Sequence, residues 1–263
     1  MNITNRLFAT ILLFVSCLGS AQATEKPPSV ILKVESKSPL QVSALIQGKL
    51  YKLSLPADFM SQVDGQYSDV YVDDLNGNGK RELVFDLVGS DVNHCSKVLH
   101  YNENNRSFSE WLFKGGGLCN PISRGRFLIS SYRDGASWTE DIYTLKNGKP
   151  EIYITDSCIG CSEIRRKMYT LGKQPVKVLV SDGIEFESRS PLTARITSPR
   201  ARVFSSPDSN WPTKKYLIRG DEITLVEFDK SEDGQDWVEF KFIGADVTTD
   251  GWVKYSDLEW CVF

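Results

Sequence analysis

Asp74, Asn76, Asn78, Lys80 and Glu82 put an oxygen donor at every second position of one short, glycine-containing stretch, residues 73–82. Hard cations such as calcium are held by alternating oxygens of this kind, with a glycine where the chain must turn sharply. From Asp74 the pattern runs D-x-N-x-N-G-x-x-E. Asp74, Asn76 and Asn78 would offer side-chain oxygens, Lys80 its backbone carbonyl and Glu82 a carboxylate. The helix-loop-helix form of this motif needs a bidentate Glu at position twelve, which here is Phe85, so the loop is not a helical EF-hand. Its flanks are β-branched and aromatic, Val70-Tyr71-Val72 before and Leu83-Val84-Phe85 after, and place it between two strands. An ordinary Asn-Gly hairpin turn is the competing reading; the doubled Asn-Gly and the closing Glu82 favour a structural calcium ion.

Other reactive side chains form weaker patterns. The two histidines, His94 and His100, belong to no metal-ligand spacing or nucleophile pair and read as surface or turn residues. Asp and Glu are plentiful, but no spacing singles out a glycosidase pair. Cys158 and Cys161 form a C-x-x-C, which in a thiol oxidoreductase sits at a helix N-terminus. Strand-like runs at 151–155 and 167–171 surround it instead, favouring a structural bridge or turn. The chain therefore reads as a non-enzyme.

The chain positions these groups as an exported protein would. Leu7 to Val15 is apolar, follows Arg6, and leads to the small residues Ala21-Gln22-Ala23, so residues 1–23 read as a signal peptide too short to span a bilayer. Val15-Ser16-Cys17 also resembles the end of a lipobox, which would make Cys17 a lipid-bearing first residue. Cleavage behind Ala23 removes 23 of the 263 residues and one positive charge, Arg6, taking the net charge from -3 to -4. A mildly acidic chain without a basic run argues against nucleic acid and favours a basic protein partner. Of the cysteines that remain, Cys95 and Cys119 lie in one glycine-rich region between strand-like runs. The expected disulfide joins them and holds two loops together. Sequence leaves the other pairings, and the role of Cys261, open.

From Val30 to about Phe186 short β-like runs alternate with turn signals such as Asn104-Asn105, Asp134-Gly135 and Asn147-Gly148. No stretch keeps a helical period. The expected fold class is all-β: a multi-stranded β module over residues 24–187, propeller-like or a sandwich, and a joint at 188–199 marked by two prolines. A small barrel over 200–263 completes it. In that last segment Val238, Phe240 and Phe242 alternate with Trp237, Glu239 and Lys241, giving one strand two faces.

Two resemblances follow from these residues. Ser205-Ser206-Pro207-Asp208, Tyr216-Leu217-Ile218-Arg219-Gly220-Asp221, Asp236-Trp237-Val238 and Gly251-Trp252-Val253 make the last segment similar to a bacterial SH3-type barrel. That likeness implies a wall-binding or docking module. The 74–82 loop with Leu83-Val84-Phe85, the 101–108 turn, Cys119-Asn120-Pro121, the 130–138 segment and residues 143–150 resemble calcium-binding periplasmic immunity proteins related to lysozyme inhibitors. The second likeness covers about the central hundred residues. It implies a periplasmic protein that blocks a peptidoglycan hydrolase by placing an aromatic and a cationic side chain in its cleft. Tyr132, Arg133 and Trp138 are the residues that would do so. The runner-up is a protein that binds peptidoglycan, or docks, through the barrel.

Overall fold

The computed structural model describes residues 30–89, 92–161, 163–231, 234–245 and 247–260. The expected signal peptide, Cys17 and Cys261 lie outside the described residues. Strands β1 (Val30–Lys37), β2 (Leu40–Ile46) and β3 (Lys49–Leu53) form an antiparallel meander, followed by one short helix, α1 (Ala57–Val63). The second sheet holds β4 (Tyr67–Asp73), β5 (Glu82–Leu87), β6 (Cys95–Asn102), β7 (Ser107–Trp111) and, on β6, β8 (Leu118–Cys119). The third sheet is a meander of β9 (Ile122–Arg124), β10 (Phe127–Asp134), β11 (Ser137–Lys146), β12 (Lys149–Ile159), β13 (Glu163–Met168) and β14 (Val176–Ser181). A last, seven-stranded sheet comprises β15 (Thr193–Ile196), β16 (Arg200–Phe204), β17 (Pro212–Ile218), β18 (Glu222–Lys230), β19 (Asp236–Ile243), β20 (Thr248–Lys254) and β21 (Leu258–Trp260). Its spatial order is β17-β16-β20-β19-β18-β15-β21. The fold is all-β, as expected.

The sheets pack face to face in series, and β5 shows why. Leu83, Val84 and Phe85 are all fully buried. Because strand side chains alternate, Leu83 and Phe85 enter a core with Leu32, Val42 and the α1 residues Phe59 and Val63, while Val84 enters another with Trp111, Leu128 and Tyr143. A strand covered on both faces reads as a continuous apolar run. The same device recurs at β14, where Val178 and Val180 face Ile164 while Leu179 joins the core of the last sheet.

Helix is scarce among the described residues, as expected, and one expected boundary needs correction. The helix α1 was hidden because it is only seven residues long and buries just Phe59 and Val63, four positions apart. Residues 188–199, expected as a joint, contain β15, which pairs with β18 and β21. Ala194 and Ile196 are buried in the last core, and the prolines, Pro191 and Pro199, stand outside the strand. The preceding Leu192 N–H donates to the Leu179 carbonyl at 2.9 Å, and Leu192 accepts from the Leu225 N–H at 3.0 Å. The two modules are thereby joined through hydrogen bonds and a shared apolar core.

Candidate functional site

The acidic loop between β4 and β5 folds around its own oxygens. Asp74 accepts from the Asn78 N–H (3.1 Å) with Oδ1 and from the Gly79 N–H (2.8 Å) with Oδ2. Asn76 Oδ1 also accepts from the Asn78 N–H (3.1 Å), and Asn78 Oδ1 from the Lys80 N–H (2.8 Å). These local bonds let Asx side chains tighten a turn, and Gly79 takes the left-handed conformation (φ 79°) that the sharp turn demands. Glu82 closes the loop: its carboxylate is fully buried, with Oε2 3.4 Å from the Leu75 N–H and Oε1 3.3 Å from His100 Nδ1. Burial pushes the Glu82 carboxyl above its usual range, and His100 opposes that shift. His100 is therefore not the surface residue expected; it stacks on Trp111 at 5.4 Å as part of the support of this carboxylate. The loop is pinned to the third sheet by Ser123, whose hydroxyl donates to the Leu75 carbonyl at 2.7 Å.

The donors are the hard oxygens that calcium takes: carboxylates of Asp74 and Glu82, amides of Asn76 and Asn78, and the Lys80 carbonyl. One polar atom here, Asn76 Nδ2, is buried without a partner, an arrangement that in a folded protein calls for a further group nearby. No cluster of three or more His, Cys, Asp or Glu is gathered among the described residues. The candidate ligands of the loop are thus amide and carbonyl oxygens beside two carboxylates.

The three candidate contact residues separate. Arg133 and Trp138 face each other across the β10–β11 hairpin next to its Gly135-Ala136 tip, and both are exposed. Tyr132 pairs with Thr139 one position away, so the period of two sends its side chain to the other face. There its hydroxyl donates to Asp141 Oδ2 at 3.1 Å, and burial together with the Asp141 charge pushes the phenol pKa up. The ring is roofed by Gly116, where an added Cβ would lie 2.4 Å from Tyr132 Cζ. Tyr132 is a packing residue that holds the 115–117 loop rather than part of the hairpin tip. Gly116→Ala is expected to lower stability by about 1–3 kcal/mol through overpacking, read as a fall in the urea midpoint at unchanged slope.

The expected Cys95–Cys119 disulfide is present, across β6 and β8. Its neighbours hold the hairpin. Asn93 Oδ1 accepts from the Arg133 N–H (2.8 Å) while its Nδ2 donates to the Arg133 carbonyl (3.1 Å). Asn120 Nδ2 donates to the Ser131 carbonyl at 2.9 Å, and the Cys119 N–H donates to Ser130 Oγ at 2.8 Å. Cys158 and Cys161 form a second disulfide at the β12–β13 turn, with no helix beginning there. Two disulfides fit an oxidising compartment. Among the described residues no helix is long and apolar enough to cross a membrane.

Sequence reasoning missed a buried charge cluster. Arg166 grips Asp156 with Nε and Nη2 at 2.7 and 2.6 Å. Arg189 Nη1 reaches the same carboxylate at 2.6 Å and Glu140 at 2.8 Å. The guanidiniums also donate to the carbonyls of Phe186 (2.7 Å) and Gly183 (2.8 Å). They tie the crossing segment to β11, β12 and β13. No local motif announces it, since the partners come from four separate places in the chain.

No family model and no curated protein sequence matches this chain. Among solved structures, a Xanthomonas type IV secretion system related protein is similar over 64% of this chain and 83% of that one, at 16% identity and a TM-score of 0.32. A likeness this remote fixes neither activity nor partner.

Proposed function

We propose that the protein is a periplasmic inhibitor of the immunity type, which binds a peptidoglycan-cleaving hydrolase and blocks its cleft, and that calcium stiffens its 74–82 loop. It acts by occupancy and turns over no substrate. The observation that carries this reading is the exposed Arg133–Trp138 pair at a hairpin tip whose base is clamped by Asn93, Asn120 and the Cys95–Cys119 bridge. Arg and Trp are the side chains that most often dominate protein contacts, because each buries much area with a directional polar end. Arg133 offers a charge-assisted bond to a catalytic carboxylate, and Trp138 offers an indole face of the size of a sugar ring. Preorganisation of the hairpin lowers the entropy cost of inserting it.

The test is wall lysis by lysozyme-type hydrolases, followed in the presence of the purified protein. Trp138→Ala and Arg133→Ala are each expected to weaken inhibition by about 30-fold, the effect of losing a hot spot near 2 kcal/mol, with melting temperature unchanged. A protein that slows none of these enzymes would sink the proposal; a fall in melting temperature would assign the two residues to packing.

One observation favours a second reading, docking through the last module. Arg200, Arg202, Lys214 and Lys215 line a cavity of about 470 Å³ with Thr213 and Tyr216. The Arg200 guanidinium lies 4.0 Å over the Tyr216 ring. A face this basic on an acidic chain suits an anionic wall polymer. Sedimentation with insoluble peptidoglycan without slowing of any hydrolase would select it.

A further inference from the structure

A second face of the first module carries two adjoining cavities. Beside the 74–82 loop lies a cavity of about 520 Å³, walled by Asn76, Asn78, Arg126, Thr144, Lys146 and Tyr153 among others. A neighbouring cavity of about 380 Å³ shares Thr144, Lys146 and Tyr153 and adds Lys114, Tyr169 and Thr170. Each is the size of a small-molecule site. Together they form one groove with three cationic side chains. Among the described residues that line it the one carboxylate is Glu151, 3.6 Å from Lys146 in an exposed ion pair.

Tyr153 stands where the two cavities meet, and the backbone places it there. The β11–β12 register steps from Ile142↔Ile154 to Tyr143↔Ile152, so Tyr153 is the extra residue of a β-bulge with no partner across the ladder. Bulges re-aim side chains, and they gather next to binding sites. The Tyr153 ring is 41% exposed yet stacked on Phe127 at 5.9 Å and 17°, with the Arg126 guanidinium 5.0 Å over the Phe127 ring. A flat aromatic face is thus held rigid beside a cation. Asn76, whose buried Nδ2 has no partner, walls the same cavity.

We propose that this groove binds a short carboxylate-bearing oligosaccharide. A sugar ring lays its apolar C–H face on an aromatic ring and turns hydroxyls toward amides and hydroxyls, which here are Tyr153 on one side and Asn76, Asn78, Thr144 and Thr170 on the other. Its carboxylates meet Arg126, Lys146 and Lys114, Arg126 offering the planar fork that matches a carboxylate. A polyglutamate peptide would satisfy the cations and could pair with the amides, but it carries no apolar ring face to lay on Tyr153. The site is on a different surface from the Arg133–Trp138 tip and does not rest on inhibition of a hydrolase.

The experiment is titration calorimetry on the full mature protein with a short oligogalacturonate, a neutral chito-oligosaccharide of matching length, and a polyglutamate peptide. Oligogalacturonate is expected to bind. Tyr153→Ala and Arg126→Gln each weaken it about tenfold, the worth of one stacking or one charge-assisted contact, and the neutral sugar, which forfeits the contacts to all three cations, binds weaker by more than that factor. Lys52→Gln, an exposed position on β3 away from the groove, leaves the affinity unchanged. Both groove side chains are exposed, so melting temperature holds; if either variant melts lower, Lys146→Gln takes its place. Absence of oligogalacturonate binding, full affinity in both groove variants, loss in Lys52→Gln, or tighter binding of polyglutamate would each overturn the assignment.

Discussion

Asp156→Ala is expected to destabilise the protein by about 3–5 kcal/mol, because it leaves two buried guanidiniums without their shared counter-ion. Arg166 and Arg189 are almost fully buried, and both converge on this fully buried carboxylate. Glu140 reaches only Arg189, and the carbonyls of Phe186 and Gly183 satisfy single N–H groups, so neither offsets the missing charge. A domain's whole stability is about 5–15 kcal/mol, so the loss is a large share of the total. For a chain of this size it corresponds to a fall in melting temperature of about 10 °C. The segment released is the one that leads into β15, so near-UV signals from the last module should change in the same transition. Lys37→Ala provides the contrast: its ion pair with Asp69 is exposed, and such pairs contribute little. Equal melting temperatures for the two variants would show that the buried cluster does not hold the crossing segment.

Calcium is the second strong lever. An ion that binds only the folded chain stabilises it by mass action, about 2.7 kcal/mol at a hundredfold excess over the dissociation constant. Added calcium should therefore raise the melting temperature of the chelator-treated protein by about 5–10 °C. Asp74→Ala removes one of the two carboxylates of the loop, the acceptor of the Gly79 N–H and one of the two acceptors of the Asn78 N–H, which keeps Asn76 Oδ1. It should lower the baseline stability and abolish the calcium-dependent rise. If wild type shows no rise, the loop is an Asn-Gly turn tightened by its own side chains. If the variant keeps the rise, the ion binds elsewhere.

Much of the local chemistry was legible beforehand. The apolar runs that became β4 to β7, β10 to β12 and β14 were visible because β-branched and aromatic residues alternate with turn residues over short distances, whereas β13 lies mostly before the run expected at 167–171. The alternation of Asp74, Asn76, Asn78, Lys80 and Glu82 was visible because a turn rich in Asp and Asn is a local object. Cys95 and Cys119 were paired correctly because both lie in one glycine-rich region between strand-like runs. The strand β15 was obscured by the prolines at 191 and 199, which read as a joint although neither lies within the strand.

What the residues determined by themselves is therefore the all-β character, the loop and its oxygen donors, and one disulfide, all of them set by neighbours close in sequence. Tertiary structure alone decided that Tyr132 turns away from Arg133 and Trp138, that Tyr153 leaves its ladder at a bulge, and that Asp156 gathers Arg166 and Arg189. The reason is physical: strand register and sheet stacking determine which side of a residue is covered. Both depend on pairing with segments far along the chain, whose closure is cooperative and leaves no local signature.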